Sequence, residues 1–139
     1  MSKEYIYKTC VTIGDTNVLQ NMYFVNHFKI VGKVRELWVR DCVKNFNDSL
    51  QGGLLLGTRR AACEYYHDYF LYDEIIVKMQ FTQIKGVSTE LLFKFYKNDS
   101  KDIYASSSQT IVFLNRSHEL VRIPENFREA IEEYMVKND

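Results

Sequence analysis

The residue most in need of a chemical explanation in this chain is Arg35. Val31 precedes it by four positions, Val39 follows it by four, and Phe28 and Cys42 each lie seven away. On a helix these spacings share one face, which places a guanidinium near an apolar stripe. Such a charge must find an acidic or polar partner, reach the helix edge, or meet a ligand. Glu36 and Glu64 are the candidate ion-pair partners.

A second group of polar residues, Asp15, Thr16, Asn17 and Asn21, crowds into the turn that precedes the same helix. The unpaired N–H groups of a helix start can hold an anion or a polarised carbonyl. The same residue types are also the usual helix caps, and sequence physics alone leaves both readings open. The three histidines, His27, His67 and His118, show no metal-ligand spacing, so no metal or other cofactor is expected. There is no G-x-S-x-G nucleophile elbow and no phosphate loop. Cys63 has no obvious base beside it and reads as a small buried hydrophobe. Cys10 and Cys42 likewise sit in apolar patterns and read as buried free thiols.

The elements that must position these residues can be read from periodicity. Tyr5 to Ile13 alternates as a strand, and Gly14 to Asn17 reads as a turn. From about Met22 to Asn47, Phe24, Phe28, Val31, Val34, Trp38, Cys42 and Phe46 recur at helical spacing. Gly32, inside that helix, implies close packing against a sheet or room for a ligand. Four strand-like segments follow, about Leu54 to Asp68, Asp73 to Lys85, Ser88 to Asn98 and Ile103 to Leu114. Short turns join them, which predicts an antiparallel meander. Pro124 opens a last helix, Glu125 to Val136. The predicted class is α+β: one sheet wrapped around one long helix, a single domain over residues 1–139.

Composition agrees with a globular chain: 139 residues, 46% hydrophobic, 14% aromatic, formal net charge zero. The charge balance argues against a nucleic-acid partner. No apolar run is long enough to span a membrane, and Met1 to Lys8 lacks a signal-peptide core, so a cytoplasmic location is expected.

The order of elements and the stretch GDTNVLQNMYFVNHFKIVGKVREL, Gly14 to Leu37, resemble the hot-dog family that includes 4-hydroxybenzoyl-CoA thioesterase. ACEYYHDYFLYDEIIVKMQF, Ala62 to Phe81, looks like that fold's second and third strands. In the 4-hydroxybenzoyl-CoA branch the position matching Asn17 is a catalytic aspartate, and an amide cannot serve as a carboxylate base. The T-N-x-x-x-N-x-Y-F and G-x-x-R-E-L elements are more similar to the thioesterases that accompany enediyne and polyene polyketide synthases. Their site relies on an Asn and an Arg, matched here by Asn17 and Arg35.

The resemblance implies an acyl thioesterase acting on a polyketide-like or fatty acyl chain carried by an acyl carrier protein or CoA. Backbone N–H groups of Tyr23 and Phe24 would stabilise the oxyanion, with Asn17 orienting the carbonyl or the water and Arg35 holding the developing charge. Tyr23, His27 and Tyr65 would line the acyl channel, and Glu36 and Glu64 would pair with Arg35 beside it. A homodimer, or a homotetramer of two dimers, with sites at the dimer interface is likewise implied. The alternatives are a conventional acyl-CoA thioesterase with Glu64 as base, and a non-catalytic hot-dog module that binds acyl chains.

Overall fold

A computed structural model of the chain describes residues 2–98 and 100–137. The elements follow the predicted order: β1 (Tyr5–Cys10), α1 (Val25–Cys42), α2 (Phe46–Gln51), β2 (Leu55–Tyr65), β3 (Glu74–Ile84), β4 (Ser88–Lys97), β5 (Ile103–Leu114) and α3 (Glu125–Glu133). The five strands make one antiparallel sheet in the order β1-β3-β4-β5-β2. One face of that sheet packs on α1, which is the hot-dog arrangement. No helix is long and apolar enough to cross a membrane among the described residues.

The sheet's inner face comes from strict alternation. Ile75, Val77, Met79 and Phe81 of β3 are buried, as are Leu91, Phe93 and Phe95 of β4 and Ala105, Ser107, Gln109 and Ile111 of β5. Residues at every second position share a face, so these side chains form one surface. From α1, Val31, Val34, Trp38 and Val39 meet it. The Trp38 and Phe81 ring centroids are 4.7 Å apart. At the far end α3 closes the core, with Phe127 edge-on to Phe113.

Four expectations need correction. β3, β4 and β5 form a meander, but β2 pairs with β5 and not with β3. The chain from β2 crosses the end of the sheet, and β1 takes the far edge. The long helix is shorter than its periodicity suggests. It begins at Val25, and Asn45, in left-handed backbone at φ 57°, separates it from α2. Its buried stripe keeps Val31, Val34 and Trp38 but differs at its start: His27 is inside, while Phe24, before the helix, is 54% exposed. Of the cysteines, Cys10 is exposed and Cys42 and Cys63 are half-buried rather than buried, and all three are free thiols.

Gly32 does not mark close packing either. A Cβ built there meets nothing within 4 Å. Without that contact, the glycine raises the entropy lost on helix formation with nothing packed against it in return. Gly32→Ala is expected to stabilise the fold by about 0.5–1 kcal/mol in urea denaturation; a loss of stability would show that the space is needed.

Candidate functional site at the start of the long helix

The turn before α1 is built by its own polar side chains. The Asn17 side-chain oxygen accepts the Leu19 N–H at 2.9 Å, and the Gln20 N–H donates to the Asn17 carbonyl. Gln20 closes the turn in left-handed backbone, φ 68°. Asp15 accepts from the Thr12 N–H and hydroxyl, and its carbonyl takes the Asn26 side-chain amide at 2.8 Å. The turn is then tied to the loop after β2 by the Met22 N–H, which donates to the Tyr69 carbonyl at 2.8 Å.

These bonds use the polar residues for the turn and leave the helix start uncapped. The residue before α1 is Phe24, which supplies no capping side chain. The Phe24 and Val25 N–H groups have no acceptor among the described residues, whereas the Tyr23 N–H donates to the Asp15 carbonyl at 2.8 Å. The capping alternative is therefore not realised for α1. The expectation that Tyr23 offers an oxyanion N–H is corrected, since that donor is already engaged.

A cavity of about 200 Å³ opens at this helix end. Asn17, Phe24, His27 and Tyr65, all named from the sequence, line it together. Asn21, His67, Asp68 and Tyr69 join them. Sequence reasoning missed the last three as site residues, because long-range contacts such as the Met22–Tyr69 bond and the Asn21–Phe70 bridge bring their loop to the helix start. Tyr23 stands outside the lining, 45% exposed, with its ring beside that of Phe24.

His27 is 4% exposed and wedged among the rings of Tyr65, Tyr69 and Phe95. Its Nδ1 faces the Phe24 carbonyl at 3.2 Å, and its Nε2 is buried with no partner. Burial pushes its pKa below the ordinary value, against smaller opposing effects of that carbonyl and of Asp68. Tyr65 donates its hydroxyl to the same carbonyl at 2.9 Å, and its phenol is pushed up to about 12, chiefly by burial.

Arg35 lies elsewhere. Eight residues beyond His27 on α1, it is displaced by about 12 Å along the axis. Its Nη1 donates to the Thr58 hydroxyl at 2.9 Å and to the Gln109 side-chain oxygen at 3.0 Å, while its Nε is buried without an acceptor. Burial lowers its pKa, and Glu36 opposes that shift. Arg35 and Glu36 share a separate cavity of about 380 Å³ walled by Val39, Phe46 and Leu54 to Leu56. Within one chain, then, Asn17 and Arg35 are not brought together.

No carboxylate forms an ion pair with Arg35 among the described residues. The Glu64 expectation fails on strand parity. Ala61, Cys63 and Tyr65 pair with the buried Gln109, Ser107 and Ala105, so they face α1. Glu64 pairs with Ser106 on the opposite face, is exposed, and accepts the Tyr66 hydroxyl at 3.0 Å. It lines neither cavity.

Residues 11–131 match the thioesterase-like superfamily. No curated protein sequence matches the chain. Among solved structures, dynemicin thioesterase, described with induced-fit and allosteric effects upon polyene binding, superposes with a TM-score of 0.91 at 25% identity, covering 98% of this chain and 100% of its own. A 1,4-dihydroxy-2-naphthoyl-CoA thioesterase from Synechocystis gives 0.83 at 16% identity, over 93% and 96% of the two chains. A Staphylococcus aureus protein in complex with CoA gives 0.87 at 15% identity, over 96% and 85%.

The buried His27 predicts a pH dependence of stability. Its folded pKa is lowered. The unfolded chain therefore takes up this proton first as pH falls through about 6.5. Stability present above that value is lost on the way down to the folded pKa. Urea midpoints measured from pH 7.5 to 5 are expected to fall more steeply for the wild type than for His27→Asn. Equal slopes would mean that His27 is not buried as described.

Proposed function

The chain belongs to the thioesterase-like superfamily and is a thioester hydrolase, and we propose that it frees a polyketide-like or fatty acyl chain from an acyl carrier protein or CoA without a carboxylate base. The observation that carries this reading is the uncapped start of α1 beside Asn17. A thioester carbonyl placed in that cavity meets the free Phe24 N–H. With its oxygen committed to the Leu19 N–H, Asn17 keeps its side-chain NH2 as a donor toward the same carbonyl. Water adds to the carbonyl carbon, the C–S bond breaks, and the thiol leaves with a proton from that water. His27 and Tyr65 wall the acyl group. The likeness to a polyene-binding thioesterase supports an extended, unsaturated acyl chain.

Arg35 enters through a second copy of the chain. β2 is an edge strand of 11 residues with its outer side unpaired, and such an edge calls for a cover. Antiparallel pairing of β2 with its own copy sets the Leu55 end of one strand beside the Tyr65 end of the other. The first end carries the Arg35 cavity and the second flanks the Asn17 cavity. A register centred on Ala62 puts Arg60 opposite the partner's Glu64, which gives Glu64 an interface role in place of a catalytic one. Arg35, held only by neutral oxygens, then supplies its charge to the oxyanion formed at the partner's helix start, and Glu36 stands at the mouth of the channel. A homodimer is the minimal active unit in this reading, and two dimers make the homotetramer.

A rival observation concerns Asp68, a carboxylate that lines the Asn17 cavity and could act as base. The variants separate the two. Asn17→Ala and Arg35→Ala are each expected to lower kcat by about 10²–10³ on acyl-CoA or acyl-carrier substrates. Asp68→Asn and Glu64→Gln should stay near wild type; loss of turnover in Asp68→Asn with activity kept in Asn17→Ala would transfer the chemistry to the acid. The shared site has its own check. Inactive Asn17→Ala and Arg35→Ala chains, refolded together in equal amounts, should regain about a quarter of wild-type activity, because half the dimers carry one intact site. No recovery would place both residues in one chain's site.

A further inference from the structure

Two side chains converge on a single backbone oxygen at the start of α1, and the reaction above gives that convergence no part. The Tyr65 hydroxyl donates to the Phe24 carbonyl at 2.9 Å, and His27 Nδ1 stands 3.2 Å from the same oxygen. A carbonyl only accepts, so the His27 proton sits on Nδ1 and Nε2 is the bare nitrogen. That Nε2 is the buried atom without a partner, on a side chain 4% exposed that lines the Asn17 cavity. The ring cannot turn freely, because Tyr65 lies edge-to-face against it at 4.7 Å and Phe95 packs at 5.1 Å.

The Phe24 oxygen belongs to the peptide unit whose N–H is that of Val25. The unit is planar, so fixing the direction of the oxygen fixes the N–H on its opposite side. Donors on the oxygen also polarise the unit and strengthen its N–H as a donor. Val25 is the first residue of α1, and its N–H points out of the helix start with no acceptor among the described residues. The Phe24 N–H beside it is also free, and the next N–H back, that of Tyr23, is taken by Asp15. The carbonyl oxygen of a thioester gains a full negative charge during attack and has lone pairs for more than one donor.

We infer that the Val25 N–H is a second oxyanion donor beside Phe24, and that His27 and Tyr65 are positioning residues that aim and polarise it through the Phe24 carbonyl. The inference rests on the thioesterase site proposed above and adds to it a donor and a pair of residues that never touch the reacting atoms. Tyr65, 41% exposed, can lose its hydroxyl with little disturbance of the core.

The test combines kinetics with amide NMR. The substrates are octanoyl-CoA and an octanoyl carrier protein, and the probe is 2-oxononyl-CoA, whose ketone cannot be hydrolysed. Tyr65→Phe is expected to shift the Val25 amide proton upfield in the free protein and to lower kcat about five- to tenfold at unchanged KM, the loss of one polarising hydrogen bond. His27→Asn, which can place an amide N–H where Nδ1 stands, should retain more activity than His27→Gln. In the wild type the ketone should move both the Phe24 and Val25 amides. Movement of Phe24 alone, or an unchanged kcat in Tyr65→Phe, would overturn the inference while leaving the hydrolase intact. Movement of both amides with no turnover of either substrate would uphold Val25 as a carbonyl donor and sink the proposed acyl and carrier class instead.

Discussion

The contact between α1 and the sheet's inner face, marked by Trp38 on Phe81, decides where every other group can go. Each strand offers that face only at alternate residues, and the helix offers a stripe repeating at three and four. A polar side chain that falls on this surface is drawn into the interior with whatever partners it finds there, and one that falls a single residue away on a strand turns to the outer face. Gln109 is 5% exposed because β5 parity turns it inward, and it is there that it meets Arg35. Glu64, one residue off the inward parity of β2, is lost to the outer surface.

In the proposed site, this arrangement leaves the Arg35 charge available to an anion. A buried guanidinium paired with a carboxylate would be a neutral structural unit, and removing one partner would leave an uncompensated charge. Arg35 has instead two neutral acceptors and an Nε with none. The oxygens fix the plane of the guanidinium without cancelling its charge. The field therefore remains available in an apolar-walled cavity, where it acts through a lower effective dielectric than in water. In the proposed dimer a neutral thioester gains little from that charge, whereas an oxyanion gains much, which is the difference catalysis requires.

Much of this was legible in the sequence, and the failures share a cause. Element order came from a change of period between residues 22 and 54, and the ends of β4 and β5 from turn residues. The gathering of Asn17, Phe24, His27 and Tyr65 around one cavity was legible through motif resemblance. What periodicity could not carry was the phase at its ends. Phe24 fits the helical spacing yet lies outside the helix, and His27 takes the buried place. Cys42 and Phe46 keep the spacing across a break made by the extended Val43 and the left-handed Asn45. Strand neighbours were equally hidden, because the chain records which strand follows β2 but not which strand bonds to it. The contribution of the loop carrying Asp68 and Tyr69 hangs on a long-range backbone bond, which no local pattern encodes.

The separation of Asn17 from Arg35 turns from an objection into a constraint once the sheet order is considered. Both residues serve cavities that flank β2, at opposite ends of an 11-residue strand with a free outer edge. Only an antiparallel neighbour brings opposite ends together, and a two-fold axis supplies such a neighbour from an identical chain. A monomer in which both residues faced one cavity would need no second copy, and its edge would have to be blunted in another way. The unpaired edge, the uncapped helix start and the uncompensated arginine are each costly in an isolated chain. In the proposed dimer a single association covers the edge and brings the helix start and the arginine to one bound acyl group.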